Sequence, residues 1–231
     1  MFEKSIRELS NSIFLNKKSM RELGFKHNTD KVTYHAYDRY YPIFLEKFRD
    51  RKITMCEIGV LNCGSINMWS EYFQDVKIFG VDNDKNRKCE KAEIIYADQS
   101  KSEDLEKICN IIGKCDFIID DGSHHPQHQY DTFIKLFSSS LKFGGVYIIE
   151  DIECHYWKND ALASGYRVGE NRATLNFFEK SYDLINEEFS KVKNDLDIAT
   201  VTYAQNCIII TKRTEEEMEI CRRPYRFEDR Q

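Results

Sequence analysis

The chain has no C-x-x-C pair among its eight cysteines, no apolar run near the roughly 20 residues that cross a bilayer, and no surplus of positive charge. Cys56, Cys63, Cys89, Cys109, Cys115, Cys154, Cys207 and Cys221 are scattered, several of them inside apolar runs, and read as reduced, mostly structural thiols. The opening Met1-Phe-Glu-Lys-Ser-Ile-Arg lacks the apolar stretch of a signal peptide, so the expected location is the cytoplasm, with no membrane partner. A net charge of −5 argues against nucleic acid as a partner, because gripping a phosphate backbone needs clustered Lys and Arg to release counterions.

What is present suits one well-hydrated globular core. Across 231 residues, 41% are hydrophobic and 13% aromatic, while 32% are charged, enough for a core under a polar surface. The expected organisation is a helical segment over residues 1–50, a core over 51–212 and a charged, solvated tail over 213–231. Phe2, Ile6, Leu9, Ile13 and Phe14 recur at helical spacing and predict an amphipathic helix over residues 2–22 that packs or serves a homo-oligomer. The pattern breaks at 24–29. His35, Tyr37 and Tyr41 then precede a helical stretch from Pro42 to Phe48, and fit equally a wall over a ring-shaped ligand and a face packed on the sheet.

From residue 53 onward strands and helices alternate. Ile53–Gly59 predicts a first strand, Gly64 and Ser65 a loop with Ser65 capping the next helix, and Val76–Val81 a second strand closed by Asp82. A carboxylate some 20 residues after a glycine loop commonly takes the ribose hydroxyls of an adenosine-bearing cofactor. A third strand, 92–96, ends near Asp98 and Gln99. The segment 102–112 is helical, Gly113 ends it, and a helix begins at Pro126 and runs to about 141. Between them lies the most telling stretch, Asp116-Phe-Ile-Ile-Asp120-Asp121-Gly-Ser-His124-His125, a buried-strand pattern that stops at two carboxylates and two histidines. Its counterpart is Gly144-Gly145-Val-Tyr-Ile-Ile149, a turn and fifth strand ending in Glu150-Asp151. In an open α/β sheet the carboxyl ends of strands form the ligand rim, so acids converging there mark a site. A mobile loop carrying Tyr156 and Trp157 is expected after it, then a helix from 173 to about 189. Residues 198–203 and 207–211 read as a hairpin.

Asp30-Lys31, His35, Tyr37, Tyr41, Glu57-Ile-Gly59, Gly64-Ser65, Met68-Trp69, Asp98-Gln99, Asp120-Asp121-Gly-Ser-His124, His128-Gln129, Gly144-Gly145, Glu150-Asp151 and Tyr156-Trp157 together resemble the macrocin and mycinamicin sugar O-methyltransferase family, over about residues 24–157. That resemblance implies a Rossmann-like class I methyltransferase fold: a seven-stranded, mostly parallel sheet with a C-terminal antiparallel hairpin and an N-terminal helical appendage. It implies transfer of a methyl group from S-adenosylmethionine to a hydroxyl of a sugar, nucleotide-sugar or other glycoside, with Mg2+ or Mn2+ as second cofactor. Asp121, Glu150 and Asp151 would hold the metal and His124 would be the general base. Glu57, Gly59, Gly64, Ser65, Asp82, Asp98, Gln99 and Asp120 would line the cofactor; His35, Tyr37, Tyr41, Tyr156 and Trp157 would line the acceptor. Three carboxylates are hard oxygen ligands that suit Mg2+ better than zinc.

The chain departs from the family at Leu61 and Cys63, where glycines are usual, and at His155, which replaces a small hydroxyl residue and is expected to tune the acceptor. Two other readings stand beside this one. His124 and His128, four apart, could bind zinc on one helical face as in a metal-dependent hydrolase, though without the glutamate of the zinc-protease motif. A non-catalytic relative that binds cofactor or sugar is the other; a dehydrogenase fits the Gly59-x4-Gly64 spacing poorly.

Overall fold

A computed structural model describes residues 17–157, 172–190, 192 and 195–221. The chain divides into two compact units, one of Met1–Lys52 with Asn62–Val76, the other of Ile53–Leu61 with Lys77–Gln231. Among the described residues no helix is long and apolar enough to cross a membrane.

The first unit is helical. Residues 2–16 of the helix expected over 2–22 lie outside the described residues; residues 17–19 are not helical, so that helix does not run on to 22, and a separate helix spans Met20–Lys26. A capping box sets that start: Glu22 N–H donates to Ser19 Oγ at 3.2 Å and Ser19 N–H to Glu22 Oε2 at 2.7 Å. The helix therefore passes through Gly24, where a break was expected. Glycine is required there by packing, since a Cβ would lie 2.2 Å from Val32 Cγ2. Short helices follow at Asp30–Thr33 and Tyr41–Leu45, then Gly64–Tyr72. The last begins after Cys63, which is in a left-handed conformation and whose own side chain makes no capping bond; Ser65 lies inside its first turn, contrary to the expected capping role. Gly64 N–H instead donates to Asn62 Oδ1 at 2.9 Å.

The second unit is a seven-stranded sheet in the order β3-β2-β1-β4-β5-β7-β6. The strands are β1 (Lys52–Ile58), β2 (Asp75–Asp82), β3 (Glu93–Tyr96), β4 (Cys115–Asp120), β5 (Leu141–Glu150), β6 (Ile198–Ala204) and β7 (Cys207–Lys212). β1 pairs parallel with β4, β2 with β3 and β4 with β5, whereas β7 runs antiparallel between β5 and β6. Every residue of β4 is buried, as a central parallel strand covered on both faces requires. Helices Ser102–Ile112 and Pro126–Ser139 join the parallel strands, and Phe133, Phe137, Ile118, Tyr147 and Ile210 share one core cluster.

Four sequence expectations change in this unit. β5 starts at Leu141, not after the glycine pair, because a register shift lets Gly144, at φ +71°, sit inside the strand. The helix expected from 173 to about 189 is three pieces, Ala173–Phe178, Ser181–Ile185 and Glu187–Ser190, and the bends keep both Phe178 and Leu184 buried. The tail is not simply solvated: Arg213 is buried and donates to Ile185 O at 2.9 Å and Glu187 Oε1 at 3.1 Å, and a helix spans Glu215–Cys221. After Asp151 the chain forms a 3-10 turn, Ile152–Tyr156, and the rest of the expected loop, 158–171, lies outside the described residues.

Candidate active site

β1, β4 and β5 end side by side, and short loops bring their polar residues together. Gly59, at φ +91°, makes this possible: a Cβ there would stand 1.9 Å from Asp121 O. No other residue type fits so close to the β4 loop. Asp121 N–H donates to Ile58 O at 2.9 Å, which ties that loop to the end of β1.

Beneath the loop lies Gln99, expected to face the cofactor's base. Its Nε2 donates to Asp120 Oδ1 at 3.1 Å and to Thr132 Oγ1 at 3.2 Å, while its Oε1 accepts Ser123 N–H at 2.5 Å. With both ends of the amide engaged and the residue buried, Gln99 braces the loop. Asp120 is fully buried as well, and so does not present the cofactor-lining surface expected of it. Burial pushes its carboxyl up to about 7, against the opposing pull of Gln99, the neighbouring His124 and Gly122 N–H.

Asp121, His124 and Asp151 form the chemical centre of this rim. One ligand atom from each lies within 4.8 Å of the others, and all three are partly exposed. His124 and Asp151 both adopt left-handed backbone, at φ +57° and +58°, and His124 Nε2 stands 3.6 Å from Asp151 Oδ2. His124 Nδ1 is buried without a hydrogen-bond partner among the described residues, so no such bond at that nitrogen dictates which ring nitrogen carries the proton. Glu150, expected as a third ligand, is buried at the end of β5 and lies outside this group.

The paired-histidine alternative is not assembled. His128 Nδ1 pairs with Ser123 Oγ at 2.9 Å, and its ring lies 4.4 Å from that of His125, which accepts Gln127 N–H and caps the helix. Burial, then the neighbouring His125, lowers the His128 pKa. Among the described residues His124 and His128 share no metal-ligand group.

Toward β2 and β3, Asp82 accepts Val60 N–H at 3.0 Å, Arg87 Nε at 3.1 Å and Asp84 N–H at 2.8 Å. Arg87 also donates to Leu61 O, fastening the loop after β1. Burial disfavours charge on Asp98, but bonds from Ser100 Oγ at 2.7 Å and Ser100 N–H at 3.0 Å outweigh it and hold the carboxyl below its ordinary value. Glu57 is fully buried on β1.

Tyr156 and Trp157 are exposed at the end of the 3-10 turn, with Arg172 5.7 Å above the Tyr156 ring. His155, expected to tune the acceptor, is buried and its Nε2 meets Gln129 Oε1 at 2.8 Å, so it acts as a packing residue. In the first unit, His35, Tyr37, Tyr41 and Trp69 form a stack with successive centroids 5.0, 5.1 and 6.4 Å apart. Tyr37 and Tyr41 have no exposed surface, which favours packing for them; His35 is half-buried.

Three residues that sequence reasoning passed over organise the site: Arg87, Gln129 and Asn206. Gln129 Nε2 donates to Glu150 O at 2.8 Å, and Asn206 Nδ2 donates to Asp151 Oδ1 at 3.0 Å. Gln129 stood in the quoted motif beside His128 with no role given to it; Asn206 signalled only a hairpin turn.

This sheet, a parallel run closed by an antiparallel hairpin with acids gathered at its carboxyl rim, has the class I methyltransferase fold. The comparisons with known proteins narrow that class. No family model matches the chain. It is 35% identical over 170 residues to the 8-demethyl-8-alpha-L-rhamnosyl tetracenomycin-C 2'-O-methyltransferase of Streptomyces olivaceus, covering 70% of this chain and 44% of that protein. It is 32% identical over 151 residues to the mycinamicin VI 2''-O-methyltransferase of Micromonospora griseorubida, covering 61% of this chain and 38% of that one. Among solved structures, the MycE methyltransferase of the mycinamycin pathway, in complex with Mg, SAH and mycinamycin VI, superposes with a TM-score of 0.74 at 25% identity, over 87% of this chain and 55% of that chain. The chain is similar to the macrocin and mycinamicin sugar O-methyltransferases, and spans less than half the length of the two curated relatives described.

Proposed function

We propose that this protein transfers a methyl group from S-adenosylmethionine to a sugar hydroxyl of a glycosylated small molecule, with the help of Mg2+. The observation that carries the proposal is the gathering of Asp121, His124 and Asp151 at the ends of β4 and β5. Two carboxylates and an imidazole within a few ångströms fit a hard divalent cation with a base beside it. Asp121 and Asp151 would hold the cation. Glu150 enters this reading only as the carboxylate next to Asp151 in the chain.

Mg2+ held by Asp121 and Asp151 would make a nearby substrate hydroxyl more acidic, and S-adenosylmethionine would supply the activated methyl, its S–CH3 bond breaking as the O–CH3 bond forms. His124 Nε2 takes the proton of the attacking hydroxyl. Asp151 Oδ2, 3.6 Å away, stabilises the imidazolium that results. Asp82 and Asp98 are the carboxylates available at the ends of β2 and β3 for ribose and base contacts, and Gly59 and Glu57 shape the end of β1. Tyr156 and Trp157 offer exposed rings to the acceptor. The family resemblance and the activities of the relatives support this reading.

The test is methyl transfer by the full chain to a panel of glycosides and nucleotide sugars, with and without Mg2+, read by mass spectrometry. Methylated sugar in Mg2+ and none in EDTA is the expected result. Calorimetry that detects NAD but not S-adenosylmethionine would overturn it.

A further inference from the structure

We infer that Asn206, at the turn between β6 and β7, is a positioning residue for the cation held by Asp151; this rests on the proposed reading of Asp121 and Asp151 as ligands. One side chain and one carbonyl of this residue grip three consecutive positions. Asn206 Nδ2 donates to Asp151 Oδ1 at 3.0 Å, its Oδ1 accepts Glu153 N–H at 2.8 Å, and its backbone O accepts Ile152 N–H at 3.3 Å. Asp151 needs such support, because it leaves β5 in a left-handed conformation at φ +58° that costs a non-glycine residue roughly 1–2 kcal/mol.

The chemistry of the contact selects an amide. It must donate to a carboxylate and accept from a backbone N–H at once, which Asp, Ser or Leu cannot do at the same reach. Being neutral, it adds no charge that would draw the cation off Asp151. With Oδ1 engaged by Asn206, Asp151 Oδ2 is the oxygen facing His124, at 3.6 Å. A hydrogen bond that orients a ligating carboxylate acts on metal affinity rather than on the bond-making step, and loss of such partners typically weakens affinity or activity about 10–100-fold.

Asn206→Gly tests this, because Asn206 itself stands at φ +63° in a two-residue turn, where glycine keeps the backbone and deletes only the amide. Mg2+ alone is titrated into the full chain by calorimetry, and Mn2+ is followed by electron paramagnetic resonance. S-adenosylhomocysteine binding is measured separately. The expected result is metal affinity lowered about 10–100-fold, with S-adenosylhomocysteine affinity unchanged and turnover recovered at high Mg2+. Wild-type metal affinity in the variant would overturn the role of Asn206, as would joint loss of metal and S-adenosylhomocysteine binding, the mark of general structural damage. A wild-type chain that binds neither Mg2+ nor Mn2+ would remove the metal reading itself, and this inference with it.

Discussion

Gln129 and His155 are joined by a 2.8 Å contact that fixes the histidine's tautomer. Gln129 Nε2 already donates to Glu150 O, so its Oε1 is the atom facing the ring and His155 Nε2 must carry the hydrogen. His155 Nδ1 is left buried with no hydrogen-bond partner among the described residues. Protonating it would place an N–H where no acceptor waits. Burial, reinforced by Arg172 and His125, accordingly holds the His155 pKa down at about 4, below its ordinary 6.5.

The sign of the consequence follows from linkage. Between those two values the unfolded chain binds a proton at His155 that the folded chain refuses, so stability present above pH 6.5 is lost as pH falls toward 4, by roughly 2–3 kcal/mol. Asp120 works in the opposite sense: its raised value of about 7 contributes stability below 3.8 that is lost as pH rises. The two partly cancel, so the measurement is the difference between wild type and His155→Gln in urea unfolding at pH 7 and pH 5. The variant should lose less stability on acidification. Equal losses in both proteins would remove His155 as the cause.

Gly59→Ala should destabilise the chain severely. The new Cβ meets a backbone oxygen 1.9 Å away, which cannot move as a flexible side chain would, and the φ of +91° adds strain. Overpacking and strain together amount to about 2–5 kcal/mol. Gly113→Ala is the control, because its φ is +61° but nothing lies within 4 Å of the added atom. Its cost by thermal unfolding should be backbone strain alone, at φ +61° and ψ −122°, about 1–3 kcal/mol. Equal costs at the two positions would show that the close approach to Asp121 is not what requires Gly59.

The sequence made the sheet readable because its parallel strands are short apolar runs bounded by glycine and acid, as at Phe117–Ile119. It also brought Asp121, His124 and Asp151 into view, since adjacent charges ending a buried strand have few packing explanations. Other parts resisted reading for physical reasons. Tyr37 and Tyr41 have the composition of a binding wall and of a core stack alike, and only burial distinguishes them. Gln99 and Asn206 act through hydrogen bonds to residues 21 to 55 positions away, and amides carry no periodic signal of such partners. Gly24 looked like a helix break because propensity is local, whereas Val32 supplied a tertiary reason to keep it inside the helix.

His124→Ala and Asp121→Asn should separate base from metal ligand. Removing the imidazole should slow methyl transfer at saturating Mg2+ by about 100-fold or more, leaving S-adenosylmethionine affinity as it was. Asp121→Asn should instead abolish the response to Mg2+ in calorimetry. Should His124→Ala turn over at the wild-type rate, another group takes the proton.

Chelation should weaken this protein modestly and not unfold it. Asp121, His124 and Asp151 lie at the rim, partly exposed, while the sheet is held by a core that contains none of them. A bound cation then adds only its mass-action contribution, about 2.7 kcal/mol at a concentration 100 times its dissociation constant. Melting in Mg2+ and in EDTA should differ by a few degrees, and the difference should shrink as Mg2+ is lowered. A structural zinc site behaves otherwise, because there the binding energy is folding energy and the apo form loses its fold. Collapse of the melting transition in EDTA, with zinc released in equal amount to the protein, would therefore exchange the methyltransferase metal for a hydrolase-type one.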